Sequence, residues 1–577
     1  MILSRLYEYY TRKSAFDKSL PIFGMEEKEI KFVIEIDEDG RFINLSDMRD
    51  EKKKGHKYLV PHSAQRSGKK AWQTAYTLWD HTGYVCERAK SETEKDVQMA
   101  SLQNQTFLEE LERVADALPE HKGVAAVKKF YRTDGLSHLK QSETWKDCST
   151  IDGCNITFRL AGSPSPICED PGIQVYAQHH ASEFADIVGA GRCLVTGVRA
   201  PISRLHYATP VPGGQATGSL VSFQKSSGYD SYGMEQAQNA PVSPEAMFAY
   251  TTAINYLKTS PSNHVRLGNM TVLFWAASDG GADLEQSFSC FFAPQKDDPD
   301  KGTNTVRGLL ESVRFGRYYK NAEDGFCILG LTPNSGRIAV SLWEDGTVKK
   351  TAERFARHFQ DIEIVRPKNS QEYLTFMQFI TATSLEDQVD RVAPNILTGV
   401  FASILNGTPY PVSFFQQVLR RVRAEQGPRR KHAAALKACI NRWARANTFN
   451  AKEVGIMLDQ GFDETSYQLG RAFAVLEKIQ KDSSPGLNAT IRDRYYGAAS
   501  TSPVTVFPQL IKLKNHHVAK LSKGQEVYYE RLLGEIFGMV SELPAHLAMQ
   551  EQGYFALGYY HQVQDLYTKK EKSEENE

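Results

Sequence analysis

The hydrophobic pattern changes along this chain, and that change limits the folds it can adopt. Before about residue 370 apolar and polar residues alternate in short runs, as from Ile30 to Ile36, which predicts half-buried strands. After about residue 370 apolar residues recur at three- and four-residue steps, which predicts helices. The sequence therefore predicts an α+β fold. A mixed α/β domain with antiparallel strands would occupy residues 1–370, and a helical bundle residues 371–577.

Turn signals separate the predicted strands of the first domain. Asp39-Gly40 predicts a hairpin turn, because glycine tolerates a positive φ angle, and the residues after it would return antiparallel to the first strand. Ser243 followed by Pro244 predicts the start of a helix that runs to Leu257. Further β-rich runs predict strands at residues 193–196, 220–223, 271–275, 326–329 and 338–343.

The second domain is predicted to be an antiparallel bundle, because its helices are joined by short connections. Its first helix would carry Leu469 and Phe473 on one face. Pro508 is predicted to open the next helix and Lys523-Gly524 to close it. A third helix would end before Pro544. The last would cover residues 555–566, followed by a charged tail that frays.

Length and composition bound the class of protein. A chain of 577 residues exceeds what one hydrophobic core supports. No apolar stretch approaches the ~18–20 residues that cross a bilayer, and the first residues do not resemble a signal peptide. Eight cysteines at irregular spacing predict reduced thiols rather than a disulfide framework. These features predict a cytoplasmic protein with no membrane partner.

The charge of the chain is balanced overall but uneven locally. The 69 basic residues equal the 69 acidic ones, which argues against a free-standing nucleic-acid binder but permits a subunit with basic surfaces. Residues 49–70 carry eight basic residues against two acidic ones, and residues 420–452 carry ten against one. Taken alone, a solvated surface explains either run as well as a binding site does.

A search for catalytic and metal-binding patterns finds none that is specific. The glycine-rich run at residues 213–218 lacks the lysine of a phosphate-binding P-loop, so a surface loop is the better interpretation. Cys148, Cys154 and Cys168 with His179-His180 do not have zinc-site spacing. His516 and His517 are adjacent on a predicted helix and would point about 100° apart. We expect a non-catalytic protein with no bound metal and no cofactor.

Short motifs spread along the chain resemble, in order, those of one protein family. They are Pro61 with Arg66-Ser-Gly68, Cys193-Leu-Val-Thr-Gly197, Ser219-Leu-Val-Ser-Phe223, Ser231-Tyr-Gly233, Asn239-Ala-Pro-Val-Ser243, Leu331-Thr-Pro-Asn334, the run at 469–480, Asn488-Ala-Thr-Ile-Arg-Asp-Arg494 and Gly558-Tyr-Tyr-His-Gln562. The set resembles the large subunit of type I-C CRISPR interference complexes, the Cascade assemblies that survey DNA with a guide RNA.

The resemblance implies a function and a set of partners. The large subunit of such a complex checks a protospacer-adjacent motif (PAM) on duplex DNA, helps to separate the strands and stabilises the R-loop. Its implied partners are double-stranded target DNA, the backbone subunits that carry the CRISPR RNA, a small subunit and a recruited helicase–nuclease that performs cleavage. Guide pairing would read the long sequence, so this subunit would need only a short check plus backbone contacts.

The same resemblance selects candidate contact residues. Lysines and arginines supply sequence-independent attraction to phosphate, while glutamine and asparagine can read base edges. For the PAM or the nearby backbone the candidates are Lys52, Lys53, Lys54, Lys57, Arg66, Lys69, Lys70, Gln215, Lys225 and Asn239. A turn at the entry to a helix explains Asn239 equally well. For the displaced strand or the complex backbone the candidates are Arg471, Arg492, Arg494, Lys512, Lys514 and Lys520.

Met457 is a candidate internal start. The preceding Lys452-Glu453-Val454 can be encoded by AAG GAG GTN, which contains a bacterial ribosome-binding sequence. A product of residues 457–577 would be large enough for a small helical bundle. Type I-C systems are similar in making a separate small subunit from within the large-subunit gene. Codon coincidence explains the tripeptide equally simply.

Two alternatives of other classes remain open from the sequence. The chain could be a nucleic-acid-processing enzyme with an unrecognised active site. It could also be a structural scaffold that never contacts DNA.

Overall fold

The computed structural model describes most of the chain. The described residues are 1–17, 20–62, 66, 68–181, 187–223, 232–278, 282–292, 299–314, 322–368 and 370–568. The chain divides into two compact units. Unit 1 comprises residues 1–210 and 216–256, and unit 2 comprises residues 211–215 and 257–577.

Unit 1 combines small sheets with helices. A four-stranded sheet has the order β3-β2-β6-β5, in which only β2 and β6 run parallel, while β1 with β4 and β7 with β8 form separate antiparallel ribbons. Its elements are α1 (Ile2–Ser14), β1 (Met25–Ile30), β2 (Phe32–Ile36), β3 (Phe42–Asp47), β4 (His56–Pro61), β5 (Trp79–His81), α2 (Thr82–Cys86), α3 (Glu94–Ala117), α4 (Lys122–Arg132), α5 (Gly135–Gln141), α6 (Glu143–Thr150), β6 (Asn155–Leu160), α7 (Pro171–His180), β7 (Ile187–Arg192), β8 (Arg199–Ser203) and α8 (Pro244–Thr259), whose last turn crosses the division between the units.

Unit 2 begins with an antiparallel sheet of order β12-β11-β10-β9 and continues as helices. One hydrophobic core runs from β10 and β11 through the helices to the last one. Its elements are β9 (His264–Leu267), β10 (Met270–Ala276), α9 (Ala282–Phe288), α10 (Pro299–Arg314), β11 (Gly325–Asn334), β12 (Arg337–Thr347), α11 (Val348–Ile362), α12 (Phe376–Ile380), α13 (Pro394–Asn406), α14 (Val412–Ala424), α15 (Arg430–Arg445), α16 (Thr465–Ser483), α17 (Ile491–Ala499), α18 (Pro503–Val518), α19 (Lys523–Gly538) and α20 (Met549–Tyr567).

The predicted α+β class is confirmed, and several elements lie where the sequence placed them. Gly40, with φ of 78°, turns the chain between β2 and β3. A Cβ atom at Gly40 would lie 2.5 Å from the backbone nitrogen of Phe130, so close packing also requires glycine there. Ser243 caps α8 by accepting a hydrogen bond from the Ala246 N–H at 3.3 Å.

Two predicted strands are wrong. Residues 193–196 form the turn between β7 and β8, closed by the Gly197 N–H, which donates to the Cys193 carbonyl at 2.9 Å. Residues 220–223 are irregular, and the Leu220 N–H donates to the Thr209 hydroxyl instead of a neighbouring strand. Cys193 is buried in its turn, whereas Leu220, Val221 and Phe223 are only partly buried, and neither run pairs in a sheet.

The predicted limits of α18 are also wrong. The helix begins at Pro503 and contains Pro508 in its interior, on an exposed side where water can satisfy the carbonyl that lacks a helical donor. Lys523 begins α19 rather than closing α18. Ser522 and Gln525 form a capping box that fixes this start.

The predicted domain limit near residue 370 lies inside unit 2, whereas the compact units divide after Tyr256 and the strands end at Thr347.

Candidate nucleic-acid interface

The connection between β3 and β4 presents three consecutive exposed lysines, Lys52, Lys53 and Lys54, which we call the lysine tip. The Asp50 carboxylate accepts hydrogen bonds from the backbone N–H groups of Lys52 and Lys54, both at 2.9 Å. The Asp50 N–H donates to the Lys54 carbonyl at 2.8 Å, and Lys53 has a positive φ of 60°. The turn is therefore closed by its own residues, while the three ammonium groups remain in solvent.

The base of the lysine tip is fixed to the sheets. Glu29 accepts a hydrogen bond from the Gly55 N–H at 2.9 Å, and a Cβ atom at Gly55 would lie 2.4 Å from the Ile30 carbonyl oxygen. Arg49 pairs with Asp47 at 2.5 Å and lies 4.7 Å from the centre of the Phe32 ring. The Arg49 guanidinium lowers the pKa of the Asp47 carboxyl by donating hydrogen bonds to it. The roles of Asp50, Glu29 and Gly55 in fixing this turn were not predicted from the sequence, although an aspartate before such a run is the signature of an Asx-type turn.

The Arg66 side chain is largely buried and held by other protein groups, and it does not face solvent. Its side chain is 13% exposed and forms two hydrogen bonds with the Asp80 carboxylate, which is 1% exposed. Its guanidinium also lies 3.6 Å from the centre of the Tyr76 ring. Burial raises the pKa of Asp80, and the hydrogen bonds from Arg66 oppose that rise. These contacts leave little of Arg66 available for a phosphate.

The remaining basic candidates of the first run differ in exposure. Lys57 is 70% exposed and pairs with Glu27 at 3.0 Å across β1 and β4. Lys70 is exposed on a short 3₁₀ helix, Gly68–Gln73. The backbone of Lys69 lies in the same helix, and its side chain is outside what the structure describes.

Gln215 lies in a loop of unit 2, beside the turn that joins β11 and β12. A Cβ atom at Gly336, in the turn between β11 and β12, would lie 3.2 Å from the Gln215 side-chain oxygen. Similarly, a Cβ atom at Gly214 would lie 3.4 Å from Pro333. The glycine-rich loop therefore packs on this turn, which follows the Leu331-Thr-Pro-Asn334 motif, and Gln215 is exposed there.

Asn239 is occupied by its own loop. Its side-chain amide donates to the carbonyls of Met234 and Gln236, both at 3.1 Å, at the end of the 3₁₀ helix Gln236–Asn239. This arrangement supports the turn interpretation of Asn239. Lys225 lies outside the described residues.

The six candidates of the last bundle separate into two groups. Arg471 is buried, and its guanidinium donates to Gln562 at 3.0 Å and to Gln468 at 2.7 Å. Lys514 is 11% exposed and pairs with Glu530 at 2.5 Å, and Arg492 lies 3.7 Å from Asp493. The other three are exposed and form no ion pair among the described residues: Arg494, Lys512 and Lys520.

The second basic run, residues 420–452, contributes several cations to the interior of unit 2. The Asp361 carboxylate is 2% exposed and binds Arg442 at 2.7 Å and Arg445 at 2.5 Å. The Lys437 ammonium donates to the Asp361 carbonyl at 2.9 Å. Helix α15, which carries these cations, is buried from Lys431 to Trp443. Among the basic residues of this run, Lys431, Lys437 and Arg442 are buried, so part of the positive charge belongs to the interior and not to the surface.

The other residues considered as a metal site do not converge. Within the described residues, no three His, Cys, Asp or Glu side chains are grouped so that they could hold a metal ion. All eight cysteines are buried free thiols. Of the two adjacent histidines on α18, His517 contacts the Ser483 hydroxyl at 3.2 Å while His516 is exposed. In the part of the chain that the structure describes, every helix is too short or too polar to cross a lipid bilayer.

Comparison with known proteins assigns the chain to a family. The family model described as CRISPR-associated protein (Cas_Csd1) matches residues 6–567, nearly the whole chain. A comparison with curated proteins gave no match. The chain belongs to this CRISPR-associated family, which covers both units.

Proposed function

We propose that this member of the Cas_Csd1 family is the large subunit of a type I-C Cascade complex that recognises the PAM on double-stranded DNA. The single observation that carries the DNA contact is the lysine tip: three exposed ammonium groups on a turn that Asp50 closes and that Glu29 and Gly55 fix to the sheet. Because the turn is preformed, binding a phosphate backbone requires little ordering of the loop.

The two exposed regions divide the task of recognition. The lysine tip supplies attraction to phosphate that does not depend on sequence, whereas Gln215 offers both a donor and an acceptor to base edges. Strand separation and R-loop stabilisation follow from holding the duplex beside the guide, and a separate helicase–nuclease is recruited for cleavage. The chain itself is non-catalytic and acts in the cytoplasm with the subunits that carry the CRISPR RNA.

The C-terminal helices support a second proposal, a small subunit that starts at Met457. Met457 is 68% exposed in the irregular connection between α15 and α16. After it, α16 and α20 pack closely together and share buried aromatic residues, so the fragment retains much of its own core. In the full chain α20 also covers Phe415 and Ile440, which come before Met457. A free fragment therefore exposes that apolar face of α20 to a partner.

The direct test of the proposed function omits the subunit. Guide-RNA complexes assembled with and without this chain are offered duplex targets that match the guide but differ in the flanking motif. We expect omission to remove the discrimination between motifs and most of the duplex affinity. A single-stranded target complementary to the guide is the control, because it needs neither a PAM nor strand separation, and its affinity should be unchanged. Discrimination that survives omission would contradict the proposal.

The non-catalytic assignment has its own test. The purified chain is incubated with duplex and single-stranded DNA and with added magnesium. We expect the DNA to remain intact. Cleavage or modification that copurifies with the chain would make it a nucleic-acid-processing enzyme.

A further inference from the structure

The basic run at residues 420–452 contains two cations that the internal network does not use. Eight of its ten basic side chains have partners among the described residues, either carboxylates or backbone carbonyls. These eight are Arg421, Arg429, Arg430, Lys431, Lys437, Arg442, Arg445 and Lys452. Arg420 and Arg423 are exposed, and neither forms an ion pair with any residue that the structure describes.

The two arginines lie on one face of α14. Phe414, Phe415, Val418, Leu419 and Val422 turn toward the core and are buried. The exposed side begins at Val412 and otherwise carries mainly polar residues at three- and four-residue steps. We call these polar residues the α14 outer face: Ser413, Gln416, Gln417, Arg420 and Arg423. No acidic residue occurs between Val412 and Ala424.

The first acidic residue after the two arginines in sequence is already paired with other arginines. Glu425, just after α14, pairs with Arg421 at 2.6 Å and with Arg429 at 2.7 Å. The positive charge of Arg420 and Arg423 is therefore not cancelled within the helix or at its end. Both arginines lie near the C-terminus of α14, where the helix dipole favours cations, so the surface charge does not oppose folding.

The α14 outer face has the length and the chemistry of a binding surface for a nucleic-acid backbone. From Ser413 to Arg423 it extends about 15 Å, a length that spans two to three phosphates of one strand. Arginine forms bidentate hydrogen bonds with phosphate, and glutamine adds contacts that tolerate any sequence.

We propose that the α14 outer face binds the backbone of single-stranded DNA. This inference rests on the proposed function, in which strand separation leaves one DNA strand without a partner. Because the face is one side of a helix packed on the bundle, it suits a flexible single strand better than the groove of a rigid duplex, which recognition helices enter with their N-terminal residues. The face precedes Met457, so a product that starts there lacks it.

The test measures the salt dependence of single-strand binding by the full-length chain. Fluorescence anisotropy with an oligo-dT probe is compared for wild type, the double variant R420Q/R423Q and the charge-matched control R357Q/K368Q, which removes two exposed cations elsewhere in unit 2. We expect R420Q/R423Q to reduce the slope of log affinity against log salt by about 1.4, since each lost phosphate contact contributes about 0.7. The control should retain the wild-type slope.

Further arms identify the ligand and separate this inference from the proposed function. The R420K/R423K variant keeps the charge and should restore the slope, which a purely structural role of the arginines would not predict. Equal loss in R420Q/R423Q and R357Q/K368Q would overturn the inference by assigning the effect to bulk charge. The same measurement is made with an oligo-rU probe. If R420Q/R423Q reduces the slope for oligo-rU but not for oligo-dT, the face binds guide RNA and the inference is overturned. R420Q/R423Q could leave the single-strand slope unchanged while the lysine-tip variant K52A/K53A/K54A reduces the duplex slope. That result would overturn this inference and leave the proposed function standing.

Discussion

At the scale of single residues, the structure separates cations that hold the fold from cations that face solvent. Arg66 and Arg471 were both candidates for DNA contact, yet each is surrounded by hydrogen-bond acceptors of the protein itself. The lysines of the tip have the opposite environment, because the turn uses only their backbone groups. Sequence gives the same charge to both kinds of residue. The partners distinguish them: Asp80 lies 14 residues after Arg66, and Gln562 lies 91 residues after Arg471.

Gln215 and Asn239 give a prediction that separates base reading from loop support. If Gln215 reads the PAM, Gln215→Ala costs about 1–3 kcal/mol on the cognate motif and less on mismatched motifs. Asn239→Ala should weaken all motifs equally, since its amide supports the loop at Met234 and Gln236. Target affinities of the assembled complex on a panel of motifs provide the measurement. Equal losses on every motif for Gln215→Ala would assign that residue a positioning role.

Buried histidines predict a loss of stability in acid. Burial lowers the pKa of His561 to about 4, and its ring contacts the Tyr467 hydroxyl at 2.8 Å. Since imidazole in an unfolded chain titrates near about 6.5, the unfolded state binds a proton first as the pH falls. Stability is therefore lost between about pH 6.5 and about pH 4, on the order of 2 kcal/mol at pH 5 from this residue.

The measurement compares the free energy of unfolding at pH 7 and pH 5. His561→Asn should lose less stability over this interval than wild type does, because asparagine does not titrate. His516→Asn is the control, since that ring is exposed on α18. If His561→Asn and wild type lose the same amount, the buried imidazole does not contribute to the acid sensitivity.

At the scale of elements, α16 and α20 are held together by backbone contact. A Cβ atom at Gly470 would lie 2.1 Å from the Phe555 carbonyl oxygen, and one at Gly558 would lie 2.0 Å from the Tyr467 carbonyl oxygen. The two glycines therefore allow the helices to approach more closely than any other residue would. They stand in the two C-terminal motifs on which the family resemblance rests, Leu469–Gln480 and Gly558–Gln562.

The close contact at Gly558 and the open space around Gly534 predict opposite effects when each glycine is replaced by alanine. Gly558→Ala should destabilise unit 2 by about 3 kcal/mol, because the helices must move apart. Gly534→Ala, on the exposed side of α19 with no atom within 4 Å of the new Cβ, should instead stabilise the helix by up to about 1 kcal/mol. Thermal unfolding of both variants provides the measurement. A neutral Gly558→Ala would contradict the close approach.

The elements also show which part of the fold the sequence could predict. The continuous β-rich run of β10 and the long apolar stripe of α16 were predicted because the local pattern and the tertiary burial agree. The run at residues 193–196 was misassigned because one buried cysteine in a turn looks like part of a strand. The start of α18 was misassigned because Pro503 and Pro508 are both acceptable openings, and only packing selects the first. The burial of α15 depends on Asp361, which is far away in sequence, so its many cations were not predictable as internal.

At the scale of the whole molecule, the compact units do not follow the change from strands to helices. Unit 2 contains both the β9–β12 sheet and the helices after it, because one core joins them. The family match covers both units. Under the proposed internal start, the last helices would also be made as a separate fragment, and one gene would supply them in a different number from the full chain.

The internal start predicts two products from one gene. Met457→Leu combined with synonymous recoding of Lys452 to Val454 should remove the fragment of residues 457–577 and leave the full-length chain intact. Mass spectrometry of the purified complex is the measurement, and recoding of an equal stretch elsewhere in the gene is the control. A wild-type complex that contains only full-length chain would refute the internal start.

The central claim is that the lysine tip contacts the phosphates of target duplex in the assembled complex. Its most direct test is the salt dependence of duplex affinity for complexes carrying wild type, K52A/K53A/K54A, or a control that removes three exposed lysines elsewhere, K95A/K122A/K368A. For B-form DNA each lost phosphate contact reduces the slope of log affinity against log salt by about 0.9, so loss of two to three contacts reduces it by about 2–3. We expect that reduction for K52A/K53A/K54A, with weaker binding to every sequence, and a wild-type slope for the control. A wild-type slope for K52A/K53A/K54A would mean that the lysine tip is only a solvated turn and would contradict the account.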